Sequence, residues 1–385
     1  MNFINLHLND FSKTNTTNVV ARSLKERKIS IHENDKSRYG TDYVVKYEDT
    51  PLTVFNISNM SMEKREEIAK YLFKYFRSNG FPYPVYTNEE LLKDWENLCK
   101  FDSSEILLPD NVLSCARING NLIFKTFSSH FFEISEKGKN KNTMLEVFNN
   151  DKLLIDVIKN RLGITFYYRG VSFPFKITGN MLRQGIRSMR LAPHTTNFKP
   201  TVAKFIYERY VPEHGLIWDY SSGFNQRLLG AMSSNKKFRY IGTDPWKKTI
   251  DKGNQIINYF KFHRAKLIQS MSEYFCPETL INKVDFCFSS PPYFDKEVFS
   301  NEESQAFSKG YDHFINFYWK NTVLNAKKLL KQNGFFGINI IEKHKKFNLQ
   351  KDMLEILNNN EFELVDKFQL KFYKSHLSKK VGTTN

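Results

Sequence analysis

The sequence predicts an α/β protein: a doubly wound parallel sheet in the C-terminal half, behind an N-terminal α+β domain. Three observations predict it. From about residue 195 the chain alternates apolar strand runs with helical periodicity, as strand–helix–strand sheets do. Three polar or Gly/Pro-rich segments, DYSSGF, GTDP and SSPPY, fall at predicted strand ends, and ligands of such sheets lie beyond the carboxyl ends of the strands. The chain's 385 residues also leave room for a second domain, since domains run to about 100–200 residues.

Residues 1–55 read as a polar, charge-rich N-terminal arm. Residues 56–180 read as an α+β accessory or substrate-recognition domain. There Ser61 caps a helix, MEKREEIAKYLFKYFRS, with Ile68, Tyr71, Leu72 and Tyr75 on one face and Asn79-Gly80 at its end. Thr87 and Glu90 make a capping box for NEELLKDWENLCKF. NGNLIFKTF and GITFYYRGVSFPF read as strands, with MLEVFNNDKLLIDVIKNRL helical between them. Residues 181–385 form the sheet domain. Its strands are GLIWDYS, RYIGTD, VDFCFSS, FFGINII and FELVDKFQLKFY. Its helices are PTVAKFIYERYV, NQRLLGAMSS, KTIDKGNQIINYFKF, MLEILNNN and HFINFYWKNTVLNAKKLLKQ, the last closed by Asn333-Gly334.

A 41% hydrophobic and 25% charged composition is that of a globular chain. The net charge of +16 favours a polyanionic partner, DNA or RNA, through release of condensed counterions; a Lys/Asn-rich coding bias gives the same number. Aromatics at 15% supply stacking surfaces for bases. No apolar run reaches the length of a membrane span, so no membrane partner is expected. MNFINLHLNDFSKTN lacks the basic and apolar blocks of a secretory leader. Cys99, Cys115, Cys276 and Cys287 fit neither a metal site nor a disulfide scaffold. A cytoplasmic protein with reduced thiols and no metal is expected.

A strand ending in Asp219, followed by Ser221-Ser222-Gly223-Phe224 and a helix, lets backbone approach a ligand, with Gly223 giving the freedom to do so. An ordinary strand–helix connection fits the same residues. The next strand ends in Asp244, at a distance suited to holding ribose hydroxyls. Trp246 either stacks on an adenine ring or covers the hydrophobic layer.

Here the sequence resembles the DNA amino-methyltransferases, Rossmann-like class I enzymes that methylate adenine N6 or cytosine N4. The resemblance covers roughly residues 180–345. It implies S-adenosyl-L-methionine as cofactor, its methionine part cradled by Asp219, Ser221 and Gly223 and its ribose held by Asp244. Asn197-Phe198-Lys199-Pro200 resembles the family's upstream segment, which implies that Phe198 packs along the cofactor. Two positions depart from the pattern: Asn225 stands where a second glycine is common, and Tyr220 where a proline is common.

SSPPY after VDFCFS is the strongest feature. An exocyclic amine is a poor nucleophile because its lone pair is delocalised into the base. Hydrogen-bond acceptors at the amino group favour a pyramidal nitrogen and free that lone pair. A following proline stiffens the turn, and an aromatic ring can stack on a flipped base. Ser290 and the Pro291 carbonyl would bind the amine, Pro292 would fix the turn and Tyr293 would stack. A Pro-Pro strand terminator packed on a tyrosine is the plain alternative. Within the family, serine at the first position is commoner among cytosine-N4 enzymes, so cytosine is favoured over adenine.

Arg183, Arg187, Arg190 and His194 precede the sheet and could hold phosphates; the three arginines are at helical spacing, on one face that could equally be solvated. The segment 294–313 follows the catalytic turn and reads as a lid or a long surface connection. A P-loop is absent, and no Pro-Cys nucleophile for carbon-5 methylation occurs. Two rivals stay open: a methyltransferase-like nucleic-acid-binding module without catalysis, and an amino-methyltransferase acting on RNA or a modified nucleotide.

Overall fold

The computed structural model describes residues 29–32, 36–37, 40–41, 44–135, 142–165, 174–193, 197–295, 298–299, 309–341 and 346–372. They divide into two compact units. One draws on Met1–Leu91, Ser129–Thr195 and Lys296–Ser300, the other on Leu92–Ser128, Thr196–Asp295 and Asn301–Asn385. Residues 92–128 count with the second unit, and 181–195 with the first.

Local signals read from sequence set several helices of the chain. The Ser61 hydroxyl accepts from the Lys64 amide at 3.3 Å at the start of Met62–Asn79, and Gly80 ends that helix at φ 77°. The Thr87–Glu90 capping box opens Asn88–Lys100, with reciprocal bonds of 2.8 and 3.2 Å. MLEVFNNDKLLIDVIKNRL folds as two helices, Met144–Asn149 and Asp151–Arg161, broken where Asn150 turns to extended backbone and caps the second.

In the first unit, short antiparallel strands Ile29–His32, Val44–Tyr47 and Thr50–Pro51 adjoin a helical layer. Its core holds Leu52, Ile57, Ile68, Leu72, Val157 and Ile186, all but shut off from solvent. Residues 166–173, the centre of the second predicted strand, lie outside the described residues, as do 1–28 of the arm.

The second unit carries the Rossmann-like sheet. Its five strands are β1 (Leu216–Asp219), β2 (Arg239–Asp244), β3 (Ala265–Gln269), β4 (Val284–Ser289) and β5 (Leu330–Ile338). They run parallel in the order β3-β2-β1-β4-β5. Every residue of β1 and β4 is buried, as central parallel strands covered on both faces require. Helices α1 (Pro200–Tyr210), α2 (Gln226–Met232), α3 (Lys247–Tyr259), α4 (Lys320–Leu329) and α5 (Leu349–Asn358) complete the α/β pattern. Lys204 of α1, 2% exposed, donates to the carbonyls of Leu98, Cys99 and Phe101 at 2.8–3.1 Å, satisfying a helix C-terminus.

Three expected elements differ, each for a tertiary reason. NGNLIFKTF is a helix, Asn121–Phe127, because the Asp94 carboxylate accepts the amides of Gly120, Leu122 and Ile123 at 2.8–3.3 Å. Asn333-Gly334 does not close a helix. Helix α4 stops at Leu329, and β5 begins at Leu330 beside Val284; the register then shifts to pair Phe286 with Phe335, which leaves Asn333 (φ 64°) in a bulge. The final strand shrinks to Gln369–Lys371 and pairs with Val112–Ser114 instead of joining the main sheet. The HFINFYW stretch is a short helix, Tyr311–His313, followed by a π-helical turn, Phe314–Trp319.

Within the 294–313 segment, 296–297 and 300–308 lie outside the described residues, and Val298 exchanges two backbone hydrogen bonds with Ser135. Among the described residues no helix is long and apolar enough to cross a membrane.

Helix α2 packs on α1 at Gly230. A Cβ there would lie 2.5 Å from Ala203 Cβ and 2.8 Å from both the Lys204 nitrogen and the Pro200 oxygen. Because two of those atoms are backbone, Gly230→Ala should lower stability by about 1–3 kcal/mol. Urea unfolding checks it: an unchanged midpoint would show that the helix pair is not closely packed there.

Candidate functional site

The strand order reverses between β1 and β4: β1 leads through α2 to β2 on one side, while β5 lies beyond β4 on the other. This switch point is where open α/β sheets bind ligands. DYSSGF, GTDP and SSPPY all emerge at the same carboxyl edge, from β1, β2 and β4.

The floor of the crevice is a buried ionic network centred on Asp219, which is 0% exposed. Its Oδ2 accepts from Arg227 Nε at 2.9 Å and from the Tyr240 hydroxyl at 2.5 Å. Its Oδ1 accepts from the Ser289 hydroxyl at 2.8 Å and from Arg227 Nη2 at 3.1 Å. Arg227 also donates to the Ser221 carbonyl and to Ser289 Oγ. Burial alone would weaken the guanidinium charge, but the Asp219 carboxylate more than offsets it and holds Arg227 above its ordinary value. Burial, with Asp219 beside it, pushes Tyr240 well up, so it stays a neutral donor.

Asp219 was expected to face the ligand; its carboxylate is instead enclosed by these donors. Arg227, the third residue of the predicted helix NQRLLGAMSS, is the partner that sequence reasoning missed. Phe198 sits beside this network, with the Arg227 guanidinium 5.7 Å from its ring centroid and Phe288 edge-on at 5.5 Å.

The loop above the floor has two left-handed residues, Gly223 (φ 55°) and Asn225 (φ 61°). Among the described residues, and apart from its two chain neighbours, Gly223 has one heavy atom within 4 Å of an added Cβ, the Ser221 oxygen at 3.8 Å, so the backbone borders open space. Asn225 explains its departure from the glycine pattern. Asparagine is the best non-glycine residue for left-handed backbone, and its Nδ2 donates to the Thr249 carbonyl at 2.9 Å. Tyr220, at the other departure, is buried and donates to the Gly337 carbonyl at 3.0 Å.

At the end of β2, Asp244 accepts from the Gly223 amide and from the Trp246 amide, both at 2.9 Å. A carboxylate has about four lone-pair sites, so each oxygen keeps one for a ligand. Burial pushes its carboxyl up to about 7 against those two hydrogen bonds. Trp246 is 6% exposed, which places the indole in the hydrophobic layer.

Across the switch point, β4 delivers SSPPY. Ser289 belongs to the floor, its one hydroxyl proton shared between Asp219 Oδ1 and the Ser221 carbonyl, 3.0 Å away. Ser290 and Tyr293 are half-buried, their hydroxyls 3.0 Å apart. Asn339, just past β5, donates its Nδ2 to Ser290 Oγ and to the Tyr293 hydroxyl, at 2.9 Å each, while its backbone amide donates to Ser289 at 2.9 Å. Sequence reasoning missed Asn339, whose one signal is being a polar residue inside the apolar predicted strand FFGINII. Pro291 is buried and Pro292 half-buried. Phe294 then takes φ 56°, rare for a bulky residue. Edge-on rings of Tyr311, Phe314 and Phe347, at 5.2–5.5 Å, hold it.

The arginines expected to share a face belong to the first unit and do not form one. Helix Gly179–Ser188 ends before Arg190, whose φ is 55°. Arg183 donates to the Pro82 carbonyl, and the Arg187 guanidinium lies 5.6 Å from the Phe131 ring centroid, its charge weakened by burial. Both are engaged within their own unit, while Arg190 is exposed. His194 lies outside the described residues.

No family model and no curated protein matches the chain. Solved structures align with part of it. The YcgJ protein from Bacillus subtilis is 13% identical over 35% of this chain and 47% of its own, with a TM-score of 0.26. The [4+2]-cyclase SpnF is 13% identical over 43% of this chain and 58% of its own, at 0.34. A SAM-dependent O-methyltransferase from Thermotoga maritima is 15% identical over 43% of this chain and 52% of its own, at 0.30. The chain thus spans about half the length of these structures.

Removing Arg227 would strand the Asp219 charge in a dry site. Arg227→Met should therefore cost about 3–5 kcal/mol, the range for breaking a buried ion pair. Chemical denaturation measures it, and a loss below about 1 kcal/mol, the size of an exposed pair, would show that the network is not fully buried.

Proposed function

We propose that the sheet-bearing unit transfers a methyl group from S-adenosyl-L-methionine to the exocyclic amino group of a base in DNA, cytosine N4 ahead of adenine N6. The observation that carries this reading is the placement of two chemistries on either side of one crevice. Gly223 and Asp244 border one side, Ser290 and Tyr293 the other, and Ser289 ties the two by bonding to Asp219 and Ser221.

The residues present fit the cofactor. Open space lies beside the Gly223 backbone, Asp244 keeps lone pairs for ribose hydroxyls, and Phe198 offers an apolar wall. When bound, S-adenosyl-L-methionine supplies an electrophilic methyl group. Everything else is alignment and hydrogen bonding by the chain itself.

Ser290 Oγ already accepts from Asn339. With the Ser290 proton directed to Tyr293, one lone pair remains to accept from the amine. That bond and the Pro291 carbonyl draw the two amine hydrogens toward the protein, which localises the nitrogen lone pair for attack. The nitrogen would take the methyl as the sulfonium–methyl bond breaks with its electron pair left on sulfur, S-adenosylhomocysteine being the leaving group, and would give up one proton along the Ser290 side to water. The Tyr293 ring is anchored through its hydroxyl, which suits it to stack on an extruded base. Serine at the first position of the motif favours cytosine, and the charge of +16 favours a polyanion. Asn225 in place of a glycine would suit a silent binding module, but its left-handed backbone is the conformation a glycine would supply there, which supports the catalytic reading.

Two outcomes follow. DNA incubated with labelled S-adenosyl-L-methionine, digested and analysed by mass spectrometry, should yield N4-methylcytosine, or N6-methyladenine if the base preference is reversed. Ser290→Ala should slow product formation at least about a hundredfold while calorimetry shows unchanged cofactor affinity. Product confined to RNA, or an unimpaired variant, would contradict the reading.

Cofactor binding should also depend on pH. Ribose hydroxyls donate to ionised Asp244, whose carboxyl titrates near 7; protonation therefore opposes binding, and affinity falls as pH drops through that value. Between pH 6 and 8 it should rise about tenfold, and Asp244→Asn should flatten the profile. A pH-independent wild-type affinity would remove Asp244 from the ribose role.

A further inference from the structure

The starts of β2 and β3 carry the segments NKKFRY (235–240) and FKFHRAK (260–266), which together hold six Lys or Arg and no Asp or Glu. The two strands run parallel, so both starts lie on the amino edge of the sheet, opposite the crevice. Tyr240 pairs with Ala265 and Ile241 with Lys266, and the Tyr240 amide donates to the Arg264 carbonyl at 2.8 Å. That register sets Arg239 beside Arg264, and Lys266 shares their face because strand residues alternate direction.

One of the six serves the fold: Lys236 Nζ donates to the carbonyls of Glu208 and Val211 at the end of α1. Lys237, Arg239, Lys261, Arg264 and Lys266 are all exposed, and among the described residues none of them has an ion-pair partner. The Arg264 guanidinium lies 4.6 Å from the Phe262 ring centroid, and Arg239 Nε donates to the His214 carbonyl at 3.4 Å. The acid at the neighbouring strand start, Glu213 before β1, sits 3.7 Å from His214. Like charges opposite one another on adjacent strands weaken a sheet. At that separation, within a Debye length of about 10 Å, salt screens them little. The sheet bears this repulsion with no carboxylate from either segment to relieve it.

We propose that this amino-edge patch is a nucleic-acid contact separate from the crevice, taking the phosphate backbone of duplex DNA. A cation set against a phosphate releases condensed counterions, and that gain offsets the repulsion the free protein carries. The contact does not rest on the methyl-transfer reading, since it needs neither a cofactor nor an extruded base. Arg239 and Asp244 are the two ends of β2, so patch and crevice rim lie about 16 Å apart along the strand. Phosphates succeed one another by about 3.4 Å along each strand of a duplex. A duplex running from the crevice along the β3 edge therefore meets the patch about five base pairs away.

The salt dependence of binding to a fluorescent DNA duplex, read by anisotropy without cofactor, tests it. Arg239→Gln, Arg264→Gln and Lys266→Gln combined should lower the slope of log affinity against log salt by about 2–3, since each phosphate contact contributes about 0.9. Affinity at about 0.1 M salt should fall at least tenfold. The variant should unfold at the wild-type temperature or above it, because repulsion has been removed. The control combines Lys70→Gln, Lys74→Gln and Lys152→Gln, three exposed lysines of the first unit. It should keep the wild-type slope within about 1. An equal loss in the control would show a response to net charge alone and overturn the proposal. So would an unchanged slope in the patch variant, or wild type that leaves the duplex unbound while binding phosphatidylglycerol vesicles. Failure of the methyl-transfer reading shows instead as wild type that binds the duplex but not S-adenosylhomocysteine, a result that leaves the patch standing.

Discussion

The carboxylate of Asp219 is the point on which the sheet-bearing unit depends. It takes hydrogen bonds from Arg227 at the start of α2, Tyr240 of β2 and Ser289 of β4. Three elements that meet at the switch point are thus fastened to the end of β1. A charge fully removed from water is tolerable only when its lone pairs are filled by well-placed donors. That requirement makes the positions of Arg227, Tyr240 and Ser289 mutually dependent, and with them the loop whose Ser221 carbonyl Arg227 and Ser289 also hold.

From this constraint comes a division of labour. The floor is rigid and has no spare hydrogen-bonding capacity on Asp219. The rim keeps its capacity: backbone beside open space at Gly223, lone pairs on Asp244, and hydroxyls at Ser290 and Tyr293. Ser289 and Ser290 are adjacent in sequence yet face different tasks, because strand residues alternate direction; one locks the floor while the other meets the crevice. Asn339 extends the same logic to β5, holding both rim hydroxyls at 2.9 Å. Alignment of two reactants benefits from such a foundation, since small misplacements of reacting groups are costly.

Much of this is legible in the sequence where local pattern and global fold agree. Strands β1, β2 and β4 are short apolar runs ending in polar turns, and parallel strands buried on both faces must read that way. The capping signals of Ser61 and Thr87 act within four residues, so they are readable too. What escapes is decided at a distance. Asn121–Phe127 looks like a strand by periodicity, but a carboxylate 26 or more residues away captures its first amides. Asn333-Gly334 looks like a helix stop, but pairing with β4 starts the strand sooner. Asp219 is correctly found as a strand-end acid, yet its burial depends on an arginine that no motif singles out. The three arginines share a helical spacing, which says nothing about where the helix ends or which way its face turns.

The central claim, that the switch-point crevice is the cofactor-binding and reacting site, is tested most directly by hydrogen exchange with and without saturating S-adenosylhomocysteine. The account predicts slowed exchange in residues 220–225 and 244–246 together, the two strand ends that border the space beside Gly223. Protection confined to other segments, or saturation by the ligand with no change in either of these, would contradict it.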